Sequence, residues 1–253
     1  MLSLSPMLRD LCVLCLFLSP LPAQAQMPRD SSQAVIGLTE GMNASHVTLS
    51  LVEKNASGAW QRVLGPFPGR LGRNGLVWGH GLHSNPRGAT TKREGDGRSP
   101  AGIFSVGGLW TTTKTPVQHH RRLPEVRVRP SDLWVSDPAQ PRLYNRFVRL
   151  DHDAATPWEL KEQMRQTDYA HSIKLLICHN TEETPGRPIA GAGSSIFFHI
   201  WRRDGAAPTA GCTAMDEGNL RALIRRLDPS RHPVYILLPR EEYLRLRSSW
   251  QLP

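Results

Sequence analysis

The chain has 253 residues, 39% of them hydrophobic, and a formal charge of +9 at neutral pH, a size that fits one domain with a substantial core. The charge excess points to an anionic partner and says nothing about fold. Of the four cysteines, Cys12 and Cys15 sit in an N-terminal apolar segment, which excludes a disulfide scaffold and leaves at most one bridge, between Cys178 and Cys212.

In chain order, the first feature is "MLSLSPMLRDLCVLCLFLSPLPAQAQ". Its basic Arg9, its apolar run from Leu11 to Leu21 and its Ala23-Gln24-Ala25 form the pattern of an export signal, residues 1–25, cleaved after Ala25. Removing those 25 of the 253 residues leaves 228. The apolar run is about half of the roughly 20 residues that a membrane span needs, so no membrane anchor is expected. An exported protein, in the periplasm or cell envelope, meets an anionic cell-wall surface as its polyanion, and no nucleic acid. Residues 26–45 read as a flexible N-terminal segment, and 46–253 as one catalytic domain.

"SHVTLSLVEK" puts Val47, Leu49 and Leu51 on one face of a strand. The stretch from Trp60 to Leu82 is punctuated by glycine and proline, which predicts short strands and tight loops rather than helices. "TKREGDGRSPAGIFSVGGLW" is another such loop, running into a strand at Ile103 to Val106. Thr156 as N-cap, Pro157 at the first helical position and Glu159 at the third predict a short helix. "SIKLLICHN" and "SSIFFHIW" read as strands, and "RRDGAAPTAG" as a turn. Leu220, Leu223, Ile224 and Leu227 fall at helical spacing after Asp216, and "PVYILLP" is a last strand. The layout is mainly β with a few short helices and no internal repeat.

Two residues in this layout can carry covalent chemistry. A thiol at its ordinary pKa of about 8.5 is only a few per cent thiolate at neutral pH, so a nucleophilic cysteine needs a neighbour that takes its proton, most often a histidine. Alternation in "SSIFFHIW" puts Ile196, Phe198 and Ile200 on one face and Phe197, His199 and Trp201 on the other. Cys212 follows His199 by 13 positions, a separation that could span roughly 40 Å when extended. Spacing alone therefore leaves open an ordinary strand histidine and a buried core thiol. Gly205, Pro208 and Gly211 favour a chain that folds back, and Gly211 permits the close backbone approach that an oxyanion site of N–H groups requires. Cys178, in "KLLICHN", reads as a core thiol. His80, His83, His119, His120 and His152 offer no His-x-x-x-His helix pair, so no metal site is read. "GLWTTTKTPVQHHRR" reads as an exposed basic loop or a contact for wall polymer.

"HIWRRDGAAPTAGCTAM" resembles the signature of the L,D-transpeptidase catalytic domain, the YkuD family, in which a strand histidine is followed closely by Ser/Thr-x-Gly-Cys. "KREGDGRSPAGIF" is similar to that family's Gly-x-x-x-Thr-Pro-x-Gly-x-Phe segment, and "GRNGLVWG", "YNRF" and "ICHNTEETPGRPIAGAGSSIFFHIW" resemble one bacterial branch of it. The likeness runs from about Gly65 to Leu227. It implies a YkuD-like β-sandwich with Cys212 as nucleophile, His199 as base, Thr209 as the motif's Ser/Thr and Gly211 as a backbone contributor to the oxyanion site.

Arg202 is read as supplying charge to a substrate carboxylate, with a solvated loop arginine as the alternative. Asn180 is read as lining the cleft, with a strand-end cap as the alternative. Many family members carry Arg or Asn two residues after the cysteine; here Ala214 stands there, so that contact cannot be transferred.

The implied reaction is attack on an amide of a peptidoglycan stem peptide and transfer of the acyl group to an amine, with no cofactor. An imidazolium beside Cys212 is expected to hold its thiolate, so that limiting iodoacetamide labels it before Cys178 at pH 6. Carbapenem acylation of the same thiol is also implied. The alternatives are an amidase or carboxypeptidase with water as acceptor, and a catalytically silent wall-binding module. Papain-like wall peptidases place cysteine before histidine, and here His199 comes first.

Overall fold

The computed structural model describes residues 27–114, 116–164, 167–184 and 186–253, so the expected export signal lies outside the described residues. Among the described residues twelve strands carry the fold: β1 Gln33–Thr39, β2 His46–Lys54, β3 Trp60–Arg70, β4 Leu76–Trp78, β5 Ser99–Thr111, β6 Glu125–Arg127, β7 Asp132–Trp134, β8 Phe147–Arg149, β9 Ile173–Ile177, β10 Phe197–Ile200, β11 Thr213–Met215 and β12 Val234–Pro239. Three helices accompany them: α1 Pro157–Glu162, α2 Glu217–Arg226 and α3 Arg240–Leu246. The main sheet runs β12-β1-β2-β3-β11-β10-β9-β5-β4. Because β12 also pairs with β5, the sheet closes on itself, and the expected sandwich is one continuous, barrel-like wall.

The closed wall surrounds the main core, in which Val35, Leu49, Ile103, Phe104, Leu175, Phe198 and Ile236 are buried together. Alternation along β10 holds. Ile196, Phe198 and Ile200 point into this core, whereas Phe197 joins a second cluster with Trp110, Trp134, Met164, Leu176 and Cys178. The hairpin of β7 and β8, tied by Arg149 Nε donating to Asp132 Oδ1 at 2.6 Å, contributes Trp134 and Phe147 to that outer cluster.

Both expected helix starts are present. Thr156 caps α1 with a complete capping box, and Asp216 caps α2 by accepting from the Gly218 and Asn219 amides. Leu220, Leu223 and Ile224 seat α2 on the core.

The segment read as flexible, 26–45, is corrected by the structure. It contains β1, which pairs parallel with β12 and antiparallel with β2. A strand covered on both faces need not alternate, which hid it from pattern reading. Its polar Gln33 is buried and satisfied: it donates to Arg226 O at 2.9 Å and to Glu53 Oε1 at 3.1 Å, and accepts from the Asp228 amide at 2.9 Å. The Trp60–Arg70 stretch is one strand rather than several pieces. β11 meets only Gly69 and Arg70, so Pro66 and Pro68 fall where β3 is paired on one side.

Candidate active site

Three neighbouring strands set the site. His199 lies opposite Lys174 across the β9–β10 pair and opposite Ala214 across the β10–β11 pair. Cross-strand partners share a sheet face, and so do residues two apart. Lys174, Phe197, His199 and Cys212 therefore project to the side away from the main core. The family-like motif is thus assembled by strand register, which the linear separation of His199 and Cys212 could not decide.

Cys212 opens into a cavity of about 310 Å³ whose walls include Trp134, Glu162, His171, Lys174 and Lys92. The sulfur donates to Ser195 O at 3.3 Å and accepts from the Phe197 amide at 3.4 Å. Burial pushes its pKa up, opposed by the Phe197 amide and the charges of Lys92, Lys174 and Arg202. Cys178, by contrast, is shut in the outer cluster, and burial raises its thiol far more. Both described thiols are free.

His199 is 2% exposed. Its Nδ1 lies 2.7 Å from Ile200 O. A carbonyl only accepts, so Nδ1 carries the hydrogen and Nε2 keeps the lone pair. Burial drives the ring's pKa down to about 3, with the neighbouring His171 adding to the effect. Burial thus favours the neutral ring, against the imidazolium of the expected resting ion pair. Burial is the largest influence on both groups and disfavours the charged form of each.

Thr209 locks the turn into Cys212. Its Oγ1 donates to Cys212 O at 2.7 Å and accepts from the Gly211 amide at 3.1 Å. From the "GRSPAG" stretch, Ser99 Oγ reaches the same carbonyl at 3.3 Å and accepts from the Gly72 amide at 2.9 Å. Two hydroxyls from distant parts of the chain thus fix the cysteine backbone. Gly211 is favoured by contact, because a Cβ there would sit a tight 3.0 Å from Arg98 O. Its N–H is committed to Thr209, so the reading of Gly211 as an oxyanion donor is corrected; the Cys212 amide has no hydrogen-bond partner among the described residues.

Arg202 and Asn180 are not brought to the cavity. Arg202 Nε donates to Asp168 Oδ2 at 2.9 Å, and a second guanidinium nitrogen pairs with the same oxygen. Its charge is therefore spent within the protein. Asn180 is fully buried; its amide donates to Ile189 O and Gly193 O at 3.0 and 3.1 Å, and its Oδ1 accepts from the Ile189 amide at 2.9 Å. It staples the 186–193 loop rather than facing a substrate. Ala214 is buried between His199 and Arg70 in the sheet.

Several wall residues escaped sequence reading. Lys174 is 4% exposed, donates to Met164 O at 2.6 Å, and is pushed down to about 8 by burial, partly offset by Cys212 and Asp168. Its apolar neighbours in "SIKLLI" disguised it; an ionisable group inside an apolar strand was the available signal. Glu162 is 3% exposed, accepts from the Ser136 amide and hydroxyl at 2.6 and 2.7 Å, and leaves Oε1 without a hydrogen-bond partner. His171 ends a 3-10 turn, Tyr169–His171, just before β9. The "YNRF" asparagine, Asn145, is a buried hub: it donates to His179 O and Asn180 O and accepts from Trp134 Nε1 and the Ser195 amide.

A closed β wall with a cysteine and a histidine from adjacent strands on one face, the cysteine opening into a polar cavity, defines the class. Residues 61–236 match the model of the L,D-transpeptidase catalytic domain, YkuD, and the chain belongs to that family. No curated protein matches the sequence. A solved structure of Bdellovibrio bacteriovorus Bd1075 aligns with a TM-score of 0.37 and 12% identity, over 87% of this chain and 55% of that one. The chain thus spans about half the length of that protein, and the likeness carries no argument.

Proposed function

We propose that this protein is an exported cysteine acyl-transferase acting on peptidoglycan stem peptides, through a thioacyl intermediate on Cys212. The observation that carries the reading is the Cys212 thiol itself: it opens into the cavity on the sheet face that it shares with His199, and its carbonyl is held by Thr209 and Ser99. In acylation Sγ attacks the amide carbonyl while the thiol proton passes to His199 Nε2. The C–N bond then breaks, and the leaving amine takes that proton. Since both partners rest neutral, proton transfer accompanies attack, as general-base catalysis. The Cys212 amide is the oxyanion donor this geometry favours, in place of Gly211. Lys174, which has no ion-pair partner among the described residues, is the cavity cation suited to a substrate carboxylate, the role first read for Arg202; Lys92 is paired with Asp96.

The test is incubation with disaccharide-tetrapeptide muropeptides, followed by intact-protein and peptide mass analysis. The expected result is an acyl adduct on the peptide carrying Cys212, none in Cys212→Ala, and acylation slowed by about 10²- to 10⁴-fold in His199→Gln. Turnover that persists in Cys212→Ala would remove the reading. Hydrolysed rather than cross-linked or exchanged products would assign water as the acceptor, and wall binding without any adduct would leave a binding module.

A further inference from the structure

His199 is the ring that the sequence marks, yet it is not part of the cavity wall. The histidine that lines the cavity with Cys212 is His171. Its Nδ1 lies 2.7 Å from Asp168 Oδ1, which only accepts, and 3.1 Å from an Arg202 guanidinium nitrogen, which only donates; the shorter contact, to the carboxylate, assigns the hydrogen to Nδ1. Nε2 is then the lone-pair nitrogen, and it has no hydrogen-bond partner among the described residues. Asp168 is held in turn by Arg202, and its carboxyl is lowered to about 2: burial works against this, but the hydrogen bonds from Arg202 and His171 outweigh it. Carboxylate, imidazole and cavity stand in the order of an orienting group, a base and a reacting site.

The His171 and His199 rings lie 4.8 Å apart between centroids, tilted by 34°. At that distance a proton on one disfavours a proton on the other, so the two suit successive rather than simultaneous proton transfers. Burial keeps His171 on the neutral side of its ordinary range, with the Asp168 hydrogen bond opposing and Arg202 and Lys174 adding to the effect.

We propose that His171, oriented by Asp168, is the base for the second half of the reaction, taking the proton from the acyl acceptor as it attacks the thioester on Cys212. This rests on the thioacyl reading above. In the step, the acceptor nitrogen or water oxygen forms its bond to the carbonyl carbon, and its proton passes to His171 Nε2. The C–S bond breaks, sulfur leaves as thiolate, and the proton on His171 is returned to it, regenerating thiol and neutral imidazole. His199 then serves acylation, and His171 serves transfer. Arg202 acts through Asp168 as a positioning residue instead of binding substrate.

The experiment separates the two half-reactions. The protein is acylated with a disaccharide-tetrapeptide muropeptide, excess glycine is added as acceptor, and the Cys212 adduct is followed by intact mass. His171→Gln is expected to form the adduct within a few-fold of the wild-type rate but to lose it about 10²- to 10⁴-fold more slowly. Asp168→Asn should slow the same step and move the acid limb of adduct decay to lower pH, because the carboxylate favours a proton on the ring; Asp168→Glu should recover part of the rate. Asp168, Arg202, Lys174 and His199 are the charged or titratable groups acting on His171; Arg245→Gln, on α3 and outside the cavity wall, is the control, expected to leave both rates unchanged.

Decay of the His171→Gln adduct at the wild-type rate overturns the proposal. So does equal slowing of formation and decay in both His171→Gln and His171→Asn, which would mark a structural role. A wild-type protein that forms no adduct removes the thioacyl reading first, and this assignment with it.

Discussion

At Cys212, burial raises the thiol pKa while Lys92, Lys174 and Arg202 pull it down, and burial prevails. The consequence is measurable without substrate. In the folded protein iodoacetamide should label Cys212 and spare Cys178, because only Cys212 reaches the cavity. Since the Cys212 thiol titrates above its ordinary range, labelling should quicken by about tenfold per pH unit from pH 6 to 8. His199→Gln should leave that rate within a few-fold, since a neutral ring with no resting ion pair holds no thiolate in place. Labelling that is independent of pH down to 6, and lost in His199→Gln, would restore the preformed ion pair expected from the motif. The same reasoning explains Arg202: a guanidinium already matched to a carboxylate has little charge left for a ligand.

Among the elements, α1 shows how a short helix serves the site. Six residues are too few for intrinsic helicity, so the capping box and tertiary anchoring hold it. Its last residue, Glu162, is fixed separately by the Ser136 amide and hydroxyl. Thr156→Ala should therefore cost about 1 kcal/mol in urea denaturation, while the rate of Cys212 acylation stays near wild type. A tenfold loss of acylation would mean that Glu162 depends on the cap for its position. Strand β10 makes the complementary point. Its alternation was readable in "SSIFFHIW", but the identity of its neighbours was not, and it is the neighbours β9 and β11 that bring Lys174 and Cys212 to His199.

For the molecule as a whole, buried histidines set the acid limit of stability. Burial lowers His83 to about 4 and His199 to about 3, and takes His179 well below its ordinary 6.5. Each is neutral in the fold and gains a proton on unfolding below about pH 6.5. The unfolded chain then binds more protons, and stability falls as pH drops from 6.5 towards 4. At about 1.4 kcal/mol per pH unit and group, the three rings together lose on the order of 10 kcal/mol over that window. Asp168 contributes in the same direction only below its ordinary 3.8. Thermal unfolding followed between pH 7 and 4 should show a midpoint that is steady above 6.5 and falls steeply below it. A midpoint flat from pH 7 to 5 would contradict neutral burial of these rings.

The mainly β layout and both capped helices were legible because their signals are local, alternation and capping residues, and the motif that singles out Cys212 and His199 as candidates is short. Strand β1 was not legible, because a strand covered on both sides has no solvent face to print an alternating pattern, and Gln33 disguised it further. Nor could local signals show that Asn180 closes its own loop or that Arg202 answers Asp168. Those partners lie in the tertiary fold. The protonation of the site belongs there as well: the sequence by itself determined which thiol and which imidazole are available, and only the closed sheet decided that burial favours the uncharged form of both, and that a second imidazole, His171, faces the cavity.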